Sequence, residues 1–342
     1  MASSFKTLTP NDKTSTKTLL HEAIPLTGAL VSGTYNDENI KTFSHGMFVS
    51  VYDYPYASSS ANHIFDLTCG YPASSPLSGT EATTTQQSKK NNIYNQMAQV
   101  LAGFDSTGSV QEFDADGNFA AGGTKIQNAI FINYSRLLGK DEIQKGTFNL
   151  SLYVSGTYAA PHTAMAIADV GAANNYKINS PAGNYSILYK NNTATTANAV
   201  GLLYYQAGVA VLTSSIFNAS SASWDVNGRS ISGSLTGSSM NDFASAFRRR
   251  WNNCSFNNTT ELNSTIYFCR AMNSDFNYSA NPTYLSSSKI FVKESPDDLP
   301  TTYFTTVGLY SPDNELLAVA KLSEPLKKTP ANELTLRVRL DY

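Results

Sequence analysis

Two spacings of hydrophobic positions run along this chain, and they predict where its strands and its few helices lie. Residues 303–328 read YFTTVGLYSPDNELLAVAKLSEPLKK, with apolar residues alternating on either side of a Ser311-Pro312-Asp313-Asn314 turn. That pattern predicts a β-hairpin whose second strand stops at Pro325. Residues 334–342 set Leu334, Leu336, Val338 and Leu340 against Thr335, Arg337, Arg339 and Asp341, a closing strand with one apolar and one charged face and with Tyr342 inside a sheet. Further strands are expected at 47–56, 64–69, 129–134, 147–154 and 264–272, where Val, Ile, Phe and Tyr cluster between turn residues. Residues 200–213 read as a buried hairpin broken at 206–208. The spacing changes at Ile93, Met97, Val100, Leu101 and Phe104, whose three- and four-residue steps predict a helix ended by Gly103. A short helix is expected at 243–251, and one or two helical turns at 137–145.

These elements make the chain mainly β with minor α, built from β-sandwich-like domains with a C-terminal antiparallel hairpin plus closing strand. At 342 residues it exceeds a typical single domain. Four segments are expected. Residues 1–46 form a leading arm, sparse in apolar groups until Leu19, Leu20 and Ile24 and turning at Gly28 and Gly33. Residues 47–160 form a β-rich domain with one helix, 161–241 a low-charge middle or inserted domain, and 242–342 a C-terminal β module in which charge returns.

Composition adds a surface of unusual chemistry. Charged residues make up 15% and hydrophobic ones 41%, so Ser, Thr, Asn and Gly have taken the place of charge. Hydroxyls and amides cost less to desolvate than Lys or Glu, and such a surface suits burial against copies or neighbours. A net charge of −2 creates no field that would gather phosphates, so nucleic acid is not an expected partner. The one basic cluster, Arg248, Arg249 and Arg250, is flanked by Phe247 and Trp251 and reads as stacking and pairing within the fold. Cys69, Cys254 and Cys269 lack disulfide or zinc spacing, as in a reducing compartment. Residues 1–12 lack the apolar core of a secretory signal, and no run approaches a membrane span; synthesis in a cytoplasm without a signal peptide is expected, with no membrane partner. Asn-x-Ser/Thr triplets, as at Asn133, Asn184, Asn218, Asn258 and Asn277, follow from composition.

Chemistry-bearing patterns are few. His21, His45, His63 and His162 have no metal or catalytic context, and no nucleophile elbow, phosphate loop or dinucleotide fingerprint occurs. Asp114, Asp116 and Asn118 place oxygens on alternate residues, as calcium loops do, but Gly117 falls at loop position 4 and Lys125 stands at position 12, so an Asp-Gly turn is expected. Asp297 and Asp298 could be set against glycosidase carboxylate pairs; their place before Leu299-Pro300 reads as a turn. No catalytic residue, cofactor or metal is expected.

The hairpin wording, with threonines before VGLY, a tight turn, ELLAVAKLS, a proline and then LRVRLDY, resembles virion structural proteins of tailed bacteriophages, in particular T-even-like phages of cyanobacteria and related marine hosts. The likeness includes SGTYNDENIK (32–41), HGMFVSVYDYPYASSSANHIFDLTCG (45–70) and FNYSANPTY (276–284), and lapses over 161–241. The resemblance implies a non-enzymatic virion component of the tail or baseplate periphery, with other virion proteins and itself as partners. A head or neck protein, either capsid decoration or connector, is the first alternative. A receptor- or glycan-binding tail protein is the second, because 20 Tyr and 17 Phe offer rings that stack on sugars of a host surface. Contacts are expected first at the polar arm, 3–20, with Leu19 and Leu20, then at Tyr204, Tyr205, Phe243, Phe247, Arg248, Arg249, Arg250 and Trp251.

Overall fold

The structure is a computed structural model that describes residues 5–26, 38–78, 85–119, 122–138, 142–217, 223–237, 239–279, 281–286, 289–290, 295 and 297–342. Its strands and helices run in the order β1 (Lys13–Leu26), β2 (Ile40–Thr42), β3 (Val49–Tyr52), β4 (His63–Gly70), α1 (Thr85–Leu101), β5 (Ala129–Asn133), β6 (Glu142–Ile143), β7 (Asn149–Gly156) and β8 (Pro161–Ala168). There follow β9 (Tyr185–Lys190), β10 (Ala199–Tyr204), β11 (Val209–Thr213), α2 (Ile231–Gly237), α3 (Met240–Arg250), β12 (Trp251–Ala271), β13 (Leu285–Ser286), β14 (Lys289–Ile290), β15 (Thr302–Tyr310), β16 (Leu316–Lys328) and β17 (Leu334–Asp341). The protein is mainly β, with a large antiparallel sheet and a separate two-stranded hairpin, the class read from its alternating pattern.

The chain divides into two units, Leu19–Thr260 and Met1–Thr18 with Glu261–Tyr342. In the larger unit the strands neighbour one another in the order β12, β7, β8, β9, β10, β11, β5, β4, β3, β2. The central strands β4, β5, β10 and β11 are buried along most of their length, which is why they read as near-continuous apolar runs. The 200–213 hairpin forms as expected, with Tyr204 opposite Val209 and Gly208 left-handed in its turn. Helix α1 lies against β4 at Gly70, where a Cβ would meet the Lys90 carbonyl at 2.5 Å and the Tyr94 amide at 2.9 Å. Tyr94 pins the helix further: its hydroxyl donates to the Ile126 carbonyl at 2.9 Å and accepts from the Phe113 amide at 3.1 Å.

Several expectations are corrected here. Helix α1 buries Lys90, Ile93, Tyr94, Ala98 and Leu101, while Val100 and Phe104 of the expected stripe are exposed. Among the described residues of 137–145 no helical turn of the expected length forms: Leu137 ends a 3-10 turn begun at Ser135, and Glu142–Ile143 is β6, paired with β12. The 161–241 segment is no inserted domain: the 160/161 boundary falls in the β7–β8 hairpin, where Gly156 faces Pro161, and β11 pairs directly with β5. The 1–46 arm is split between units, since β1 lies beside β12 and β2 pairs with β3. The 242–342 module likewise divides inside β12, at Thr260 and Glu261. Gly28 and Gly33 lie outside the described residues.

In the smaller unit β17 pairs with the second half of β12, Leu334 opposite Ala271 and Asp341 opposite Ser264, and the Tyr342 backbone continues the ladder with Asn263. The closing strand therefore closes on β12 rather than on the hairpin. The β15–β16 hairpin forms its own sheet. Its second strand does not stop at Pro325: the pairing shifts between Phe304 and Thr306, and the extra residues accommodate the proline, which could not donate to a regular ladder.

Candidate functional site

Helix α3 begins at Ser239, whose hydroxyl accepts from the Asp242 amide at 3.2 Å, and ends in Arg248, Arg249 and Arg250, cations placed where the helix dipole favours them. Arg250 is buried. It donates to the Ser155 carbonyl at 2.9 Å and the Gly156 carbonyl at 3.0 Å, and lies 5.3 Å from the Trp224 ring and 5.9 Å from the Phe217 ring. Burial lowers its pKa to about 10. Arg249 stacks on Tyr158 at 4.5 Å, and Arg248 is fully buried. The basic cluster thus ties α3 to the turn between β7 and β8, the stacking arrangement that its flanking aromatics predicted.

The remaining interface expectations meet the same interior. Trp224 stacks on Phe243, Phe243 on Phe247, Phe247 meets Trp251, and Trp251 stacks on Phe65 at 4.4 Å. Tyr204 stacks on Tyr185 at 5.2 Å. Tyr204, Tyr205, Phe243, Phe247, Arg248, Arg250 and Trp251 are therefore buried in this chain's own core and present no surface, which corrects their assignment as contacts. Sequence spacing alone does not separate an aromatic that anchors a partner from one that fills a sheet-helix interior. Leu19 and Leu20, in contrast, are exposed on β1.

Other buried charged groups are also built into the fold. Asp169 accepts from the Tyr205 hydroxyl and the Gly146 amide at 2.7 Å each through Oδ2 and from the Phe148 amide at 3.0 Å through Oδ1. Burial still outweighs these donors and raises its pKa to about 6. Lys90 donates to the Leu235 and Ser234 carbonyls at the end of α2, and burial pulls its pKa down. Lys328, in the smaller unit, donates to the Asn277 side chain at 2.8 Å and to the Thr329 and Asn273 carbonyls at 2.9 and 3.2 Å, tying the base of the hairpin to the 273–277 loop. Asp114, the first oxygen of the calcium-like run, lies 2.9 Å from the Lys125 ammonium, and Gly117 turns the chain between them. The cation at that carboxylate is the chain's own. The sequence named Lys125 but gave no sign of Asp169, Lys90 or Lys328, whose partners are mostly backbone atoms.

Ser50, His63 and Asp66 come together on β3 and β4, but as a carboxylate with two donors rather than as a relay. Ser50 Oγ and His63 Nε2 both meet Asp66 Oδ1, at 2.5 and 2.7 Å. A nucleophile relay needs the imidazole between hydroxyl and acid. Burial raises the Asp66 carboxyl, and the His63 and Ser50 hydrogen bonds outweigh it, holding the pKa below its ordinary value. Asp298 caps a turn by accepting from the Ser295 amide at 2.9 Å, as its position before Pro300 implied. Cys69 and Cys254 are buried free thiols, pushed up by burial to about 11 and about 12. Among the described residues no group of three His, Cys, Asp or Glu is placed to hold a metal ion, and no helix is long and apolar enough to cross a membrane.

Among the described residues, more of the exposed large apolar side chains lie in the smaller unit than in the larger. Residues 5–18 lie on their own chain's C-terminal strands: Asp12 pairs with Arg270 at 3.1 Å, Ser15 meets Thr265 at 3.0 Å, and Phe5 packs on Tyr310 at 4.9 Å. A cleft beside the hairpin is lined by Ser279, Asn281, Thr283, Tyr284, Tyr303 and Thr305, among others, offering rings, hydroxyls and an amide. On the hairpin itself Tyr310, Leu316, Leu317 and Val319 are exposed. No protein family, curated protein or solved structure matches this chain.

Proposed function

We propose that this protein is a non-enzymatic structural component of a tailed-phage virion, at the periphery of the tail or baseplate, assembling with copies of itself and with neighbouring virion proteins. The observation that carries the reading is the C-terminal hairpin. Its wording resembles that of virion proteins, and it forms a separate two-stranded sheet with apolar side chains at the surface. The interior supports the same reading, because its arginines, its Asp169 and its lysines are engaged in holding backbone segments together. Capsid decoration and neck connectors share this chemistry, so position is the discriminating measurement. Immunogold labelling of purified particles is expected to mark the distal tail; labelling of the head or neck moves the assignment there, and absence of the chain from particles defeats the reading.

The cleft at Tyr284 and Tyr303 favours a second reading, binding of a host-surface glycan. Aromatic rings stack on the C–H faces of sugars, and neutral hydroxyls and amides match their hydroxyls without the desolvation cost of charge. A glycan array probed with the full chain and with Tyr303→Ala decides it: saccharide binding lost in the variant supports this reading, and silence on the array removes it.

A further inference from the structure

We infer that the smaller unit is completed by copies of itself, through the β15–β16 hairpin. Every member of the hydrophobic core cluster lies between Ile40 and Phe256, in the larger unit. Among the described residues of the smaller unit, only Ala271 and Val338 are buried apolar side chains. Ordering a residue's backbone costs about 1–2 kcal/mol, and burying a large apolar side chain returns about 1.5–3 kcal/mol. Ala271 and Val338 contribute far less than ordering the described residues of this unit costs.

The apolar groups that would complete it are present and uncovered. Val307 faces Ala320 and Leu309 faces Ala318 on one side of the hairpin, all only half-buried. On the other side Gly308 faces Val319, with the Tyr310 ring laid close over the glycine. Leu317 is the extra residue where the pairing shifts, and it is 68% exposed, with Val319 at 55%. Apolar groups on both faces are the pattern of strands sandwiched on both sides. An isolated two-stranded hairpin in water is marginal at best.

Charge points to a like copy as the occupant. The hairpin itself carries Lys321, Lys327 and Lys328 against Asp313, Glu315 and Glu324, interspersed along its length. A patch of zero net charge neither repels its own copy nor selects a strongly acidic or basic partner. The inference deepens the assembly reading by naming its first partner, and it rests on that reading only for the setting.

Light scattering of the purified full chain, with and without Leu317→Lys and Val319→Lys together, tests it. Both side chains are exposed in the single chain, so lysine there removes no packing within the protomer. The wild type is expected at a closed multiple of the 37.0 kDa protomer and the double variant at the protomer mass, with its larger unit still melting cooperatively. Amide exchange over 302–328 should lose protection as the wild type is diluted into protomers. A monomeric wild type, an open-ended aggregate, a double variant that keeps the oligomer mass, or a hairpin protected equally at all dilutions overturns the inference. Absence from particles, by contrast, defeats the virion reading and leaves these solution results standing.

Discussion

At the residue scale the interior is held by buried charges bonded to backbone, and these make the sharpest predictions. Asp169 ionises near pH 4 in the unfolded chain and near 6 in the folded one. Between those values the folded state binds more protons, so its contribution to stability is full below about pH 4, falls as pH rises, and is lost above about 6. The shift corresponds to about 3 kcal/mol. Asp169→Asn keeps one acceptor but turns an amide N–H₂ toward the Gly146 and Tyr205 donors. It should melt lower than the wild type at every pH while removing this part of the slope between pH 4 and 6, as followed by melting temperature. Arg250 gives a second case. Arg250→Met removes the guanidinium that donates to the Ser155 and Gly156 carbonyls, at an expected cost of about 1–3 kcal/mol. Arg250→Lys should recover only part of it in denaturant titration, because one ammonium cannot reproduce the planar fork between the Trp224 and Phe217 rings.

At the element scale, close contacts decide where sequence patterns succeed. The β4–α1 packing depends on Gly70 having no side chain, since both atoms that a Cβ would meet belong to the α1 backbone and cannot rotate away. Gly70→Ala should push the helix off the sheet at a cost of about 1–3 kcal/mol. A lowered denaturation midpoint, with faster amide exchange over α1 and little change over β7–β8, would show the effect confined to that contact. Alternation located β17, whose residues are half-buried or buried at every second position, and apolar runs located β10 and β11, which bury successive residues. It misread 137–145 as helical, because the 3-10 turn ending at Leu137 and the two-residue strand Glu142–Ile143 are each too short to show a period. It also read Pro325 as a stop, because a bulge that tolerates proline depends on the partner strand.

At the scale of the whole molecule, the sequence showed the class of fold but not its division. Low charge over 161–241 looked like a separate domain, yet β8, β9, β10 and β11 lie in the middle of one sheet, between β7 and β5. Likewise Tyr204, Phe247 and Trp251 looked like surface anchors because spacing reports apolar faces without saying which chain covers them. The unit boundary inside β12 has no compositional signal, being set by which strands that long strand meets: β7 and β6 along its first half, β17 along its second. A truncation separates the two halves. Deleting 336–342 removes the partners of Asn263 and of 264–269, leaving backbone donors and acceptors of β12 to water and uncovering Val338's place in the smaller unit. The larger unit keeps its whole core cluster, which ends at Phe256. Calorimetry of the full chain should therefore show two transitions, and the truncated chain should keep the one belonging to the larger unit and lose the other. Persistence of both would show that β17 is dispensable and that the hairpin and the first half of the unit hold themselves together.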